Sequence, residues 1–202
     1  MTPYSIVVLA SGSGSLLQSL IDSQEQNNYT IDLVITDRDC PAVERAQRAN
    51  IATRVIHMGP NRNQWDTTLR TALDTTHPDL IVSAGFMRVL GAEIVSAFEG
   101  RLINIHPALL PKFPGAHAVR DALAAGVATT GTTVHFVDYG VDTGAIIAQK
   151  EVAILPSDDE GTLHERIKVL EQELLVEVVA RFAAGKVKYQ VLREHPGSSD
   201  HE

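Results

Sequence analysis

Short apolar segments alternate with amphipathic ones along the first half of the chain. Five apolar segments, rich in β-branched residues, are typical of strands buried on both faces of a sheet. They cover residues 6–10, 31–36, 53–58 and 80–84 and a run that begins at Leu102. Between them, apolar positions three and four residues apart predict helices over residues 16–21, 42–49, 63–75 and 92–98. This alternation predicts the α/β class, with a doubly wound, mostly parallel sheet that binds ligands at the carboxyl ends of its strands.

The second half of the chain departs from this alternation. Its pattern predicts a short helix, two strands that pair antiparallel and a long helix, over residues 119–125, 130–137, 145–154 and 162–184. The first of these two strands alternates apolar and polar residues, which indicates one exposed face. Gly185 is placed to end the long helix, and residues 194–202 have the composition of a loose tail. No repeat or linker divides the chain, so we expect a single domain over residues 1–202.

Composition and charge exclude several classes of protein. The chain has 202 residues, of which 44% are hydrophobic and 21% are charged, as in ordinary soluble globular domains. Its formal charge is -8 and it has no run rich in Lys and Arg, which argues against binding to nucleic acid. No apolar run could span a membrane and the first residues lack the basic segment of a signal peptide, so we expect a cytoplasmic protein. The single cysteine, Cys40, and the lack of an HExxH pair argue against a zinc site.

A glycine-rich turn, SGSGS at residues 11–15, follows the first predicted strand and precedes a helix. Strand, turn and helix in this order place several backbone N–H groups and a helix N-terminus around one point, where a phosphate binds favourably. Leu17 stands where the dinucleotide fingerprint requires a third glycine, which favours one phosphate over a pyrophosphate. A tight turn without a ligand stays open as an alternative.

Two polar side chains leave the strand that begins at Leu102 on the same side. Asn104 and His106 are two residues apart, and three prolines follow before the chain reaches Gly115. One interpretation is a satisfied polar pair at a strand end. The other is a site that holds a carbonyl oxygen as it becomes an oxyanion, with one fixed and one titratable donor. The segments SGSGS, GFMR and NIHP each follow a strand, so we expect them to gather along one edge of the sheet.

Two segments carry a specific resemblance to a known family. NIHPALLPKFPG, at residues 104–115, resembles the NxHxSLLPxFxG signature of enzymes that take the formyl group from 10-formyltetrahydrofolate, with Ala108 where serine is usual. GTTVHFVDYGVDTGAII, at residues 131–147, is similar to the pattern GxTVHFVxxxxDxGxxI of the same enzymes. The resemblance implies a Rossmann-like formyltransferase fold.

The resemblance covers nearly the whole chain and points to the glycinamide ribonucleotide formyltransferases among these enzymes. LASGSGSLLQ, at residues 9–18, resembles their opening LxSGxGSNLQ, with Leu16 in place of asparagine. AGFMRVL, at residues 84–90, resembles their AGFMRIL. Two further matches are less complete, since Trp65 replaces the tyrosine of an RxxYD pattern and Gln172 replaces the histidine of an EHxLYP run.

The resemblance also implies roles for individual residues. The implied catalytic residues are Asn104, His106 and Asp142. The residues implied to bind the ribonucleotide are Gly14, Ser15, Leu16, Pro107, Lys168 and Glu171. The residues implied to bind folate are Arg62, Met87, Arg88, Val89, Leu90, Asn104, Asp138, Tyr139, Gly140, Val141 and Asp142. The N-terminal half would hold the ribonucleotide phosphate and the C-terminal half would complete the folate and catalytic site.

The implied reaction transfers a formyl group from the cosubstrate 10-formyltetrahydrofolate to the amine of glycinamide ribonucleotide, without a metal. A carboxylate such as Asp142 beside an imidazole favours the protonated imidazole, which suits stabilisation of an oxyanion. His135 lies in a strand and is expected to be a buried, hydrogen-bonded histidine. The implied partners are these small molecules, with no nucleic acid or membrane; the oligomeric state stays open, and a homodimer is compatible with the sequence.

Three alternatives remain at this point. Methionyl-tRNA formyltransferases share the NxHxSLLP and DxG motifs but carry an additional C-terminal domain for tRNA. Formyltetrahydrofolate hydrolases share the same core and usually carry an extra N-terminal regulatory domain. A non-catalytic module that binds a nucleotide or folate is the third alternative, although binding alone would not require Asn104, His106 and Asp142 together.

Overall fold

The computed structural model describes residues 2–189, which form a seven-stranded sheet with helices on both faces. The strands are β1 (Tyr4–Ala10), β2 (Tyr29–Thr36), β3 (Ala52–Val55), β4 (Leu80–Ser83), β5 (Leu102–His106), β6 (Thr129–Phe136) and β7 (Ile146–Ala153). The helices are α1 (Ser15–Ser23), α2 (Pro41–Arg48), α3 (Arg62–Thr76), α4 (Ala92–Ala97), α5 (Ala118–Ala124) and α6 (Glu160–Ala183). Every predicted element is present, and the predicted tail at residues 194–202 lies outside the described residues.

The sheet has the strand order β3-β2-β1-β4-β5-β6-β7. The first five strands in this order pair in parallel, and β6 and β7 add to the sheet in antiparallel. This confirms the predicted fold class. The strand order changes direction between β1 and β4, so the carboxyl ends of these strands form the crevice where open α/β sheets bind ligands.

Strand β1 explains why its sequence is apolar without alternation. Ile6, Val8 and Ala10 face a core shared with α1, α2 and α6, whereas Val7 and Leu9 face a core shared with α3 and α4. All five of these side chains are at most 1% exposed. Because both faces of the strand are covered by helices, neither face can carry polar residues at low cost.

Strand β6 contradicts the prediction of one exposed face, since all residues from Thr130 to Phe136 are buried. Helix α6 covers the face that carries Val134 and Phe136. The proline-rich segment after β5 folds back over the other face, where the Thr133 hydroxyl donates to the Ala108 carbonyl at 2.6 Å and accepts from the Leu110 N–H at 3.1 Å. Thr133 therefore bonds to this loop instead of water, and the Thr132 hydroxyl donates to the His106 carbonyl of β5 at 3.1 Å.

Strand β3 is shorter than predicted and ends at Val55. The carbonyl of Ile56 accepts a hydrogen bond from the indole N–H of Trp65 at 2.8 Å, so the chain turns toward α3 at this point. At the other end of the chain, Gly185 has φ 67° and follows α6 as predicted for a helix-ending glycine. Among residues 2–189, no helix is both long and apolar enough to cross a bilayer.

Candidate active site

A cleft of about 480 Å³ opens at the carboxyl ends of β1, β4 and β5. Its walls include the glycine-rich turn after β1, the loop after β4, the end of β5, the loop after β6 and one face of α6. The segments SGSGS, GFMR and NIHP therefore gather at one edge of the sheet, as their positions after strands predicted. The cleft brings together groups that are far apart in the sequence.

The structure places Asn104, His106 and Asp142 side by side in this cleft. Asp142 lies with one carboxylate oxygen 3.3 Å from Nδ1 of His106 and the other 3.4 Å from Nδ2 of Asn104. Nε2 of His106 lies 2.8 Å from the Phe113 carbonyl. Both ring nitrogens of His106 therefore face hydrogen-bond acceptors, which fixes the orientation of the ring.

The backbone around Asp142 is built to hold its carboxylate in place. Asp142 has a positive φ of 56°, and its side chain accepts the N–H of Gly115 at 2.8 Å. Two residues later, a Cβ at Gly144 would lie 1.8 Å from the Phe136 carbonyl, so only glycine fits there. The glycine of the DxG motif therefore lets the loop return against β6 with Asp142 pointing into the cleft.

The ionisation of Asp142 follows from its neighbours. Burial alone would raise the pKa of this carboxyl, but hydrogen bonds from His135 and from the Gly115 N–H, together with the charges of His106 and His135, lower the pKa to about 2. Asp142 is therefore an anion at neutral pH.

His135 is buried and hydrogen-bonded, as expected, and it also contacts the candidate catalytic residues. Nδ1 of His135 lies 2.8 Å from the Phe136 carbonyl, and Nε2 lies 3.2 Å from the Asn104 amide nitrogen and 3.5 Å from Asp142. The signal that could have located it is strand register, because Asn104 and His135 are directly paired between β5 and β6. His135 therefore holds the Asn104 amide in position from the neighbouring strand.

The glycine-rich turn forms one end of the cleft, with Gly14, Ser15 and Leu16 in its lining next to Pro107. Gly14 has φ 71°, and a Cβ at this position would lie 2.8 Å from the Cα of Ala42. Arg45 of α2 donates to the Ser13 carbonyl at 2.8 Å and braces the turn. Glycine is therefore required at position 14 both for the backbone conformation and for the close packing of α2.

Helix α6 adds Lys168 and Glu171 to the lining of the same cleft, together with His164, which was not predicted. Glu171 is only 6% exposed, and burial raises its pKa to about 7, partly offset by the charge of Lys168. Burial and the Lys168 charge lower the pKa of His164. Helical spacing alone could have found His164, because it lies four residues before Lys168 on the same face.

The residues expected to bind folate fall into two groups. Besides Asn104 and Asp142, seven of these residues line the cleft, namely Met87, Arg88, Val89, Leu90, Asp138, Gly140 and Val141. Arg62 and Tyr139 are outside the lining. Arg62 donates to Asp66 at 2.8 Å and to the Val89 carbonyl, and its guanidinium lies 5.0 Å from the centre of the Trp65 ring. Arg62 therefore braces the loop after β4, and Tyr139 is 72% exposed beside the cleft.

The described part of the chain contains no cluster of three or more His, Cys, Asp or Glu residues that could hold a metal ion. The polar groups of the cleft instead combine an amide, an imidazole and a carboxylate with a glycine-rich turn on a doubly wound sheet. This combination defines a group-transfer site on an α/β fold.

Comparison with known proteins identifies the class. The family described as formyl transferase matches residues 4–179, which is most of the sequence, and the chain belongs to this family. The chain is 52% identical over 185 residues to phosphoribosylglycinamide formyltransferase from Mycobacterium tuberculosis strain H37Rv, a match that covers 90% of this chain and 86% of that protein. The resemblance drawn from the motifs is thereby confirmed.

Solved structures agree with this assignment. The phosphoribosylglycinamide formyltransferase of Coxiella burnetii has a TM-score of 0.89 and 43% identity, with 93% of this chain and 90% of that chain covered. Glycinamide ribonucleotide transformylase 1 from Symbiobacterium toebii has a TM-score of 0.90 and 38% identity, with 94% and 92% covered.

Proposed function

We propose that this protein transfers the formyl group of 10-formyltetrahydrofolate to the amine of glycinamide ribonucleotide, in de novo purine biosynthesis. The observation that carries the proposal is the contact of Asp142 with both His106 and Asn104, in a cleft whose other end is a glycine-rich turn. The high identity to phosphoribosylglycinamide formyltransferase of M. tuberculosis supports the same activity.

The ribonucleotide occupies the end of the cleft formed by the turn and α6. Backbone N–H groups of Gly14, Ser15 and Leu16 bind its phosphate, so the exchange of the usual asparagine for Leu16 removes a side-chain donor but leaves the backbone donors in place. Lys168 adds a positive charge at this end. Glu171 supplies a carboxyl group for hydroxyls of the ribose. Pro107 directly follows His106 and also lines the cleft.

The formyl folate occupies the other part of the cleft, between the loop after β4 and the loop after β6. Met87, Val89 and Val141 are more than half exposed, as expected for apolar side chains that a ligand covers when it binds. Leu90, Asp138 and Gly140 complete the same walls. The formyl group is thereby directed toward Asn104 and His106.

The reaction forms one C–N bond and breaks another. The neutral amine of the ribonucleotide attacks the formyl carbon and gives a tetrahedral oxyanion. Asn104 and His106 donate to this oxygen, and a donor placed in this way is worth about 3 kcal/mol of activation free energy. A proton passes from the new ammonium to N10 of the folate, which contributes roughly 10²–10⁴-fold to the rate. The C–N10 bond then breaks to release tetrahydrofolate and the formylated ribonucleotide.

His106 reaches the oxyanion by exchanging one acceptor for another. Nε2 of this ring lies 2.8 Å from the Phe113 carbonyl. When the formyl oxygen becomes negative, it competes with that neutral carbonyl for the same N–H group, and the charged acceptor forms the stronger hydrogen bond. Asp142 stays at Nδ1 throughout and holds the ring in position.

The test is to follow the deformylation of a 10-formylfolate by absorbance, first without an acceptor and then with glycinamide ribonucleotide. We expect turnover only with the ribonucleotide. Equal turnover without an acceptor would identify a hydrolase instead. The absence of turnover in both cases, with the formyl folate still bound, would favour a binding module and overturn the proposed transfer.

A further inference from the structure

A buried carboxylate that the proposed chemistry does not use lies just beside the cleft. Asp37 directly follows β2, and its side chain is 0% exposed. It forms ion pairs with two arginines, to Nη2 of Arg38 at 2.8 Å and to Nε of Arg88 at 2.6 Å. Burial opposes the ionisation of Asp37, but hydrogen bonds from Arg38, Ser11 and Arg88 hold its pKa well below the usual range. The carboxylate is therefore a permanent anion inside the protein.

Ser11 connects this carboxylate to the backbone of the loop after β4. The Ser11 hydroxyl accepts from the N–H of Met87 at 2.9 Å, and the same hydroxyl helps to lower the pKa of the Asp37 carboxyl. The backbone N–H of Ser11 donates to the Gly85 carbonyl at 3.2 Å. One buried side chain is thus tied to both a side chain and the backbone of residues 85–88.

We propose that Asp37 is a positioning residue for the formyl folate, which acts by fixing Arg88 and the loop of residues 85–90 in the conformation that binds the cosubstrate. This inference rests on the proposed function, since it assumes that this loop binds formyl folate. Asp37 itself does not line the cleft, whereas Arg88 does.

The bond between Asp37 and Nε also sets the direction of the Arg88 guanidinium. Nε of Arg88 is taken by Asp37, and the side chain remains 34% exposed at the cleft, which leaves other N–H groups of the planar guanidinium for a ligand. Formyl folate carries carboxylates in its glutamate portion, and an arginine held on one side binds such an anion with less loss of conformational freedom. Removal of the Asp37 charge would leave Arg38 and Arg88 facing a neutral group and release the Arg88 side chain.

The chain offers a matched pair of variants for the test. Asp37→Asn keeps the size and an acceptor for Ser11 but removes the charge. Asp39→Asn makes the same change two residues later, where the side chain is 85% exposed and lies 3.7 Å from His57. Binding of 10-formylfolate is measured by titration calorimetry without ribonucleotide, and KM for each substrate and kcat are measured in the transfer assay. Circular dichroism confirms that each variant is folded.

We expect Asp37→Asn to raise the Kd and KM for the formyl folate about tenfold, the scale of a lost charge-assisted hydrogen bond. The kcat and the KM for the ribonucleotide should change less than about twofold, and Asp39→Asn should match the wild type. If Asp37 had a purely structural role, the variant would bind both substrates more weakly and to a similar extent. Ser11→Ala provides a second test should Asp37→Asn fail to fold, and we expect it to raise the Kd for formyl folate about threefold.

The outcomes separate this proposal from the proposed function. Wild-type affinity for formyl folate in the folded Asp37→Asn variant, or in Ser11→Ala if the former does not fold, would overturn the positioning role alone. Equal losses of affinity for both substrates would overturn it as well. A wild-type protein that does not bind formyl folate at all would overturn the proposed function and the positioning role together.

Discussion

The Asp142 carboxylate lies 3.3 Å from Nδ1 of the His106 ring, and both side chains are largely buried. Because hydrogen bonds and the charges of His106 and His135 lower the pKa of Asp142 to about 2, the carboxylate remains charged at any pH at which the enzyme would work. It faces an imidazole whose other nitrogen already has an acceptor in Phe113. The two contacts therefore fix the orientation of the ring, with Nδ1 at the carboxylate and Nε2 at the Phe113 carbonyl, which suits a group that donates to an oxyanion.

Replacement of the Asp142 carboxylate by its neutral isostere should slow catalysis strongly and leave the binding of both substrates nearly unchanged. We expect Asp142→Asn to lower kcat by about 10²–10⁴-fold, because the amide no longer stabilises the charged ring. The KM for each substrate should change less than about threefold, since the new side chain keeps an acceptor for the Gly115 N–H. Steady-state kinetics with glycinamide ribonucleotide provide the measurement.

The control for this variant is Asp121→Asn, which changes an aspartate that is 45% exposed on α5 and paired with Arg120 at 3.3 Å. Its kinetics should equal those of the wild type. A normal kcat in Asp142→Asn would show that the carboxylate is not needed to activate His106. A similar fall in both variants would point to a general loss of folded protein instead.

The fold was predictable because each central strand could be recognised from its own residues. The residues of β1 alternate between two helix-covered cores, so an unbroken apolar run was enough to identify a central strand. The prediction of an exposed face on β6 was wrong because the face that carries Thr133 is covered by the loop of residues 107–112. That contact joins segments distant in the sequence, so the pattern of polar residues within β6 does not reveal it.

The candidate site was predictable to the extent that its residues follow strands or belong to the motifs. These features point to Asn104, His106 and Asp142. In the structure, Asp142 contacts both of the other side chains. Asp37 was not chosen, since an aspartate after a strand is common in turns and its two arginine partners are identified only by three-dimensional proximity. His135 was expected to be structural because it alternates with Thr133 and Val137 in a strand, and its contact with Asn104 depends on how β5 and β6 pair.

Lys168 provides a test of where the ribonucleotide phosphate binds. In the structure its ammonium group pairs with Glu165, and the residue lines the same cleft as the glycine-rich turn. We expect Lys168→Met to raise the KM for the ribonucleotide about tenfold or more, because a phosphate dianion loses a charge-assisted contact. The KM for formyl folate should stay within about twofold of the wild type.

Lys150→Met is the matched control for this variant. Lys150 lies on β7 and pairs with Glu173 at 3.1 Å and Glu177 at 3.8 Å, so the variant removes the same charge away from the cleft. Its kinetic constants should equal those of the wild type. If Lys168→Met raised both KM values equally, the phosphate would have to bind elsewhere.

Glu171 should make the stability of the protein depend on pH in a defined window. Burial raises the pKa of this carboxyl from 4.5 to about 7, with a smaller opposing effect of Lys168. Below pH 4.5 the group is protonated in both folded and unfolded chains. Between pH 4.5 and 7 the unfolded chain ionises first, so the folded state binds more protons and the contribution of Glu171 to stability falls as pH rises.

The isosteric variant Glu171→Gln isolates this effect because it keeps the shape of the side chain and cannot ionise. We expect the free energy of unfolding of the variant, relative to the wild type, to rise by about 2 kcal/mol between pH 5 and pH 8. Urea denaturation at both pH values gives this difference directly. Glu173→Gln changes a glutamate that is 56% exposed on the same helix, and its difference from the wild type should vary with pH by less than about 0.5 kcal/mol. A pH-independent difference for Glu171→Gln would show that the buried carboxyl has an ordinary pKa in the folded protein.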